Sequence, residues 1–537
     1  MKFLVSTTQS KLANKHGQWY WEADSGCRTM IKSDQVIIYG GYTIQQPIEE
    51  LLNTDPHLVK NKDGAFFVVI LTPTGATVYV DYFSQEKIVY KYSNGVEITN
   101  RPWLLTLSRE DIDREELESR ISFTDKQKAY RSTDEFETSR GMQLDWVSRP
   151  ERYTGPGAKQ FQHNINCTIW RDTWILVPDH SLAVTGTRCE LVRINDTIGL
   201  IRQAWNRTQA QFTEHEALME HIHTCMSSHS DVIKQNFKSD EIVLSVSDGI
   251  DSVLQEQYFT ESPRASYTLW PLNSPFENKM QTLAGSNRQD MMLMLFDLAP
   301  EKIKQTATKF LRDSSLFYLD CVPSFKQMRT LHGTKPKLIL YGQNGDQCFM
   351  HRPAFLKEYI LHQQLDNDGT FEERMSQFEN ELRKHHGRYC SRVNIWENES
   401  NTWQEAFPKY TEQDMKNFFD NNKGRTAKEV LAETFSKMLV PVHYNRDVGC
   451  NSDILTTSLY SDSRFFYSVF GSSREIIEGN LQDVKTQRML LTEKFNYNSF
   501  QTPCKDGEEY NVVHVIKSFY IASINHAVKD NLAELRT

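Results

Sequence analysis

Residues 242–255, IVLSVSDGIDSVLQ, constrain the fold of this chain more than any other stretch. An aliphatic run stops at a serine, a glycine follows at 249, and apolar residues then recur at helical spacing at Ile250, Val253 and Leu254. An apolar strand cut by a glycine-bearing turn and resumed as an amphipathic helix is the repeating unit of a parallel sheet. Further strand-like stretches follow, ASYTLWPL (265–272), SLFYLDCV (315–322) and KLILYG (337–342), with helix-like segments between them. The alternation predicts a parallel α/β sheet. In such sheets ligands bind beyond the carboxyl ends of the strands. The loop at 247–252, SDGIDS, presents backbone N–H groups and the positive end of a helix to an anion. Ser247 and Ser252 add hydroxyl donors, and Asp251 is an acceptor suited to the Mg²⁺ that accompanies phosphates. The alternative is an ordinary strand–turn–helix junction with Ser247 or Asp251 as N-cap.

A chain of 537 residues predicts two or three domains. With 39% hydrophobic and 24% charged residues there is material for sizeable cores, and no window approaches eighteen uninterrupted apolar residues. The first residues, MKFLVSTTQSKLANKHG, have too short an apolar run for a secretory signal, so a cytoplasmic, membrane-free protein is expected. The nine cysteines include no C-x-x-C pair and fit reduced thiols. A net charge of −9 with both signs interspersed argues against a nucleic-acid partner.

The first hundred residues read as mostly β, with KFLVST, QVIIYGGY, AFFVVILT and ATVYVDYF as strands and TPTG (72–75) as a hairpin turn. IEELLNTDPHLV and REDIDREELESRI read as helices. Residues 150–190 are punctuated by Pro and Gly. An amphipathic helical pattern is expected from Cys189 to about Ser230, and a mainly helical tail from about 410. HEALMEHIHTC (215–225) places His221 and Cys225 on one helix face, a spacing that can clip a metal but more simply describes a half-buried face. EERMSQFENELRKHHGR (372–388) reads as an exposed amphipathic helix.

Ser247, Gly249, Asp251 and Ser252 resemble the S-G-G-x-D-S loop of the N-type ATP pyrophosphatases, in particular the asparagine synthetase-like branch. KLILYGQNGDQCF (337–349) is similar to that family's strand followed by G-E-G-x-D-E, with Gly342, Gly345 and Asp346 matching. QTPCKDGEEY (501–510) is similar to its R-x-K-x-G segment, and SLYSDSRFF (458–466) to a stretch near the substrate pocket. KNKDGAFFVVILTPTGATVYVDYFSQEKIVYKY (60–92) resembles the D-G-x-F-A-F hairpin of the class II glutaminase domain that precedes the synthetase domain. The resemblance implies α/β and α+β architecture: an αββα sandwich over 1–185, then a doubly wound parallel-sheet ATP pyrophosphatase domain over 186–537 with a helical C-terminal region. It implies ATP and Mg²⁺, with Asp251 and Asp346 on the metal. Ser247, Asp248, Gly249, Asp251, Ser252, Gly342 and Gly345 would surround the nucleotide, and Lys505 and Gln343 would serve the chemistry. The implied reaction adenylates a small-molecule or peptide carboxylate and joins it to an amine or ammonia, releasing AMP and pyrophosphate.

Four departures shape that expectation. Lys2 stands where a class II glutaminase carries its nucleophilic Cys, and Cys27 cannot supply the required α-amine, so no glutaminase activity is expected. Asp248 replaces a Gly; its carboxylate would oppose the phosphates unless it points away or binds a second Mg²⁺. Gln343 replaces a Glu and cannot act as a general base, although it can orient a substrate. Pro503 replaces the Arg two residues before the lysine. Two alternatives stay open: a nucleotide-binding pseudoenzyme, and an ammonia-dependent asparagine synthetase, against which Gln343 counts.

Overall fold

The computed structural model describes residues 1–113, 168, 170–176, 179–186, 188–205, 207, 209–245, 250–259, 265–271, 291–296, 300–302, 304–305, 337–342, 345–350, 353–384, 411–427, 429–430 and 454–497. Among the described residues, twelve strands form the first part: β1 (Phe3–Ser6), β2 (Asn14–His16), β3 (Trp19–Ala23), β4 (Arg28–Lys32), β5 (Gln35–Thr43), β6 (Gly64–Leu71), β7 (Gly75–Val80), β8 (Val89–Tyr92), β9 (Val96–Thr99), β10 (Thr173–Ile175), β11 (His180–Thr185) and β12 (Arg188–Arg193). They make two antiparallel six-stranded sheets, ordered β10-β8-β9-β1-β3-β2 and β12-β11-β7-β6-β5-β4.

Strand β6 shows why the layers form. All eight of its residues, GAFFVVIL, are buried. Successive side chains leave opposite faces of a strand. Phe67, Val69 and Leu71 pack with Phe3, Val5 and Ile98 of the other sheet. Phe66, Val68 and Ile70 instead meet helix α1 (Ile48–Thr54), through Leu51 and Leu52. A strand covered on both faces needs an unbroken apolar run, and β6 has one. The predicted TPTG hairpin turn closes β6 on β7, with Thr72 N–H donating to the Gly75 carbonyl at 2.9 Å. The helix predicted from Arg109 starts as a 3₁₀ turn at Arg109–Asp111, gives way to an isolated bridge from Ile112 to Trp170, and from residue 114 falls outside the described residues.

One expectation is corrected here. The helical pattern expected from Cys189 begins instead with a strand: β12 pairs with β11 from Arg188↔Thr185 to Arg193↔His180. This edge strand is only half covered, so its polar residues mimic a helix face, while pairing with β11 decides its state. The second sheet therefore continues past the boundary drawn at 185. The described residues beyond 410 are mainly helical, as expected, and include one short strand, β17 (Leu455–Thr457), three buried residues too few to show any period.

The helices that follow are α2 (Thr197–Trp205), α3 (His215–Asn236), α4 (Ile250–Gln257), α5 (Gly345–Cys348), α6 (Pro353–Gln363), α7 (Phe371–Lys384), α8 (Glu412–Asn421), α9 (Ser463–Phe470), α10 (Arg474–Asp483) and α11 (Lys485–Met489). With them run β13 (Ile242–Ser245), β14 (Ala265–Pro271), β15 (Met291–Phe296), β16 (Leu338–Tyr341) and β17. These five strands form one sheet ordered β15-β14-β13-β16-β17, parallel throughout. The predicted parallel sheet is present. SLFYLDCV lies outside the described residues, and β15 is a strand that the sequence pattern did not single out. The predicted amphipathic helix at 372–388 is α7, which buries Met375, Phe378 and Leu382. Among the described residues no helix is long and apolar enough to cross a membrane.

The two parts share a core. Tyr42, Ala65 and Phe83 of the antiparallel part join Ile222, Leu340 and Phe466 in one apolar cluster. Polar groups cross the same boundary. Tyr42 Oη lies 2.9 Å from His229 Nε2 and 3.3 Å from Thr457 Oγ1. Ser463 donates to Asp63 through its hydroxyl at 2.6 Å and its N–H at 3.2 Å.

Candidate functional site

The parallel sheet reverses its direction of growth between β13 and β16. From β13 the chain adds β14 and β15 on one side, then returns to lay β16 and β17 on the other. The carboxyl ends of β13 and β16 therefore flank the switch point of the sheet, where parallel-sheet proteins bind ligands. The first leads into α4, whose opening turn carries Asp251 and Ser252; the second leads through Gly342 to Gly345 at the start of α5.

The two glycines are explained by proximity. A Cβ on Gly342 would lie 2.6 Å from the backbone nitrogen of Ser252 and 2.8 Å from its Cα. A Cβ on Gly345 would fall on the Asp251 carboxylate and 2.8 Å from the Asp251 Cβ. A side chain at Gly342 would force the second loop away from α4, and one at Gly345 would displace the Asp251 carboxylate. The sequence pairing of the two loops is thus a contact in the fold, and Asp346 follows Gly345 in the same short helix.

Asp251 is anchored from two directions. Tyr460 donates its hydroxyl to the Asp251 backbone carbonyl at 2.7 Å, and Gln487 Nε2 donates to Asp251 Oδ1 at 2.7 Å. Burial, with the Asp251 charge nearby, holds the Tyr460 phenol well above its ordinary value, so it stays a donor. One turn further along α4, Gln255 Oε1 accepts from Leu459 N–H at 3.0 Å. The segment 458–466, matched by resemblance to a stretch near a substrate pocket, is thereby fastened to the start of α4.

Of the predicted site residues, the fold brings together Asp251, Ser252, Gly342 and Gly345, with Asp346 adjacent in the chain. Ser247, Asp248, Gly249, Gln343 and Lys505 lie outside the described residues. Gln487 was not foreseen from the sequence. A glutamine in a short helix carries no signal that separates a buried ligand-facing residue from a solvated one.

Other candidates resolve into structure. His221 Nε2 lies 3.6 Å from Cys225 Sγ, as their spacing predicts, but no group of three or more His, Cys, Asp or Glu side chains gathers as a metal cluster among the described residues. His215 hydrogen-bonds Thr486 at 2.9 Å. In the antiparallel part, Cys27 lies beside the first strand, its thiol donating to the Lys2 carbonyl at 3.4 Å. Burial first, then the charge of Asp24, pushes this thiol up to about 12, so it stays protonated and inert near neutral pH.

Fold and site together define a two-part α/β protein: two antiparallel six-stranded sheets and a parallel sheet at whose switch point Gly342 and Gly345 lie close against the start of α4. No model of a known protein family matches the chain, and no curated protein matches it.

Proposed function

We propose that the parallel-sheet part is an ATP-dependent adenylating ligase of the asparagine synthetase-like kind, and that the antiparallel part is an αββα glutaminase-like sandwich without a usable nucleophile. The observation that carries the reading is the close approach of Gly342 and Gly345 to Asp251 and Ser252 at the start of α4, at the switch point of the sheet. The residue types suit a hard divalent cation carried with phosphates: Asp251 and Asp346, which follows Gly345 in the chain, would offer carboxylate oxygens. Mg²⁺ bound there supplies positive charge against phosphate oxygens.

In the proposed reaction a substrate carboxylate oxygen attacks the α-phosphorus of ATP. The bond to the bridging oxygen of the β-phosphate breaks, giving an acyl-adenylate and pyrophosphate. An amine or ammonia nitrogen then attacks the acyl carbon, loses a proton and expels AMP. Ser247, Gly249 and Ser252 hold the departing pyrophosphate, with Asp248 turned away or on a second Mg²⁺. Lys505 offsets charge developing on phosphate and on the tetrahedral oxyanion, and Gln343 orients the substrate by hydrogen bonding. The nitrogen comes from free ammonia or a substrate amine, because the first strand, FLVS, carries no cysteine and Cys27 is held protonated.

Pyrophosphate release, measured over a panel of small and peptide carboxylates with ATP and Mg²⁺, tests the reading. The wild type is expected to turn over at least one carboxylate, and Asp251→Asn to lower that rate by about a hundredfold or more, as for other groups that stabilise transition-state charge. Saturating Mg-ATP should stabilise the wild type by about 2.7 kcal/mol at a hundredfold excess over Kd. Neither turnover nor stabilisation with any carboxylate present would defeat the ligase reading; stabilisation without turnover would favour a nucleotide-binding pseudoenzyme.

A further inference from the structure

Helix α11 joins α10 through Val484 alone. Val484 adopts the left-handed conformation, φ 52° and ψ 33°, which β-branched residues avoid. Such strain persists only where the surroundings over-determine it. Here Val484 N–H donates to the Asn480 carbonyl at 2.9 Å, Thr486 N–H donates to Asn480 Oδ1 at 3.0 Å, and the Thr486 hydroxyl lies 2.9 Å from His215 Nδ1. The turn these contacts enforce delivers Gln487, fully buried, to Asp251. One end of its amide is used: Nε2 donates to Asp251 Oδ1 at 2.7 Å. The other end is not, since Oε1 is buried and meets no hydrogen-bond donor among the described residues. A buried carbonyl oxygen without a donor is rare in folded proteins. This one belongs to the side chain that holds the Asp251 carboxylate, a group that repels an anion and favours a cation.

We propose that Gln487 completes a divalent-cation seat with Asp251, holding the carboxylate through Nε2 and offering Oε1 as a second protein oxygen to a hard cation such as Mg²⁺ or Mn²⁺. The inference rests on the nucleotide-site reading above and extends it to a residue that no motif marks. Oxygen-only donors select hard cations over the softer metals that prefer thiolate or imidazole.

Mn²⁺ binding to the full-length protein, read from the loss of the free-ion electron paramagnetic resonance signal with and without ATP, tests it. Gln487→Leu should raise the apparent Kd for Mn²⁺ by about tenfold or more, the range for residues that support a metal ligand. Gln487→Glu keeps an oxygen but cannot donate to Asp251, so it should bind Mn²⁺ clearly more tightly than the Leu variant. Wild-type affinity in Gln487→Leu would overturn the inference. So would equal losses in the Leu and Glu variants, which would mean that the amide acts through Nε2 alone and that Oε1 takes a water. Wild type and Asp251→Asn binding Mn²⁺ alike would instead sink the site reading itself. If Gln487→Leu melts without metal far below the wild type, the Glu variant against Asp251→Asn carries the test.

Discussion

At the scale of single residues, two buried titratable groups at the boundary between the parts pull stability in opposite directions. Asp63 is raised to about 6, first by burial and then by the charge of Asp462, despite donors from Ser463 and Gln45. The folded state therefore holds this proton more tightly than the unfolded chain does. Its contribution is fully present below about pH 4 and is lost as pH rises to about 6. His229 is lowered to about 4 by burial. The unfolded chain binds that proton more tightly, so stability is lost as pH falls from about 6.5 to about 4. In the wild type the two slopes offset each other between about pH 4 and 6. Asp63→Asn should unmask the histidine. The stability gap between variant and wild type should widen in the variant's favour by about 3 kcal/mol from pH 4 to pH 7, because a proton held about tenfold more tightly in one state stabilises that state by about 1.4 kcal/mol. Urea titrations at a series of pH values measure it, and a gap independent of pH would refute the assignment. His229→Gln should move the opposite way.

At the scale of elements, the site is a contact between the start of α4 and the loop after β16. Gly342→Ala and Gly345→Ala each place a methyl group where α4 already is. Gly342→Ala meets backbone and should cost about 1–3 kcal/mol, as overpacking usually does. Gly345→Ala meets the Asp251 side chain, which can turn, so it should cost less stability but weaken Mn²⁺ binding. Thermal unfolding and metal titration separate the two, and a Gly345→Ala protein with wild-type metal affinity would show that Asp251 has room to spare. Much of this was legible in advance: glycines at 342 and 345, and an acidic residue at 251, mark close approach and charge without coordinates. Gln487 was not, because its role depends on the strained turn at Val484 and on a partner 236 positions away. Strand β12 was misassigned for a related reason, since its pairing with β11 decides a pattern that is locally ambiguous.

At the scale of the whole molecule, the shared core predicts joint unfolding. Phe83 and Phe466 meet edge to face across the boundary, with ring centroids 5.8 Å apart, and Tyr82 contacts both Thr197 and Tyr467. Phe83→Ala removes a fully buried ring and should cost about 3–5 kcal/mol. Differential scanning calorimetry should show one transition for the wild type and two for the variant. Two transitions already in the wild type would mean that the shared core does not couple the parts. Local order follows directly from the amino acids: apolar runs make buried strands, a glycine-bearing turn leads into α4, and α7 is amphipathic, because side-chain period and backbone freedom act over a few residues. The strand order that sets the switch point, the placement of β17 and the approach of Gln487 to Asp251 arise only in the folded chain. Those depend on which distant surfaces exclude water together, and no local pattern encodes that choice.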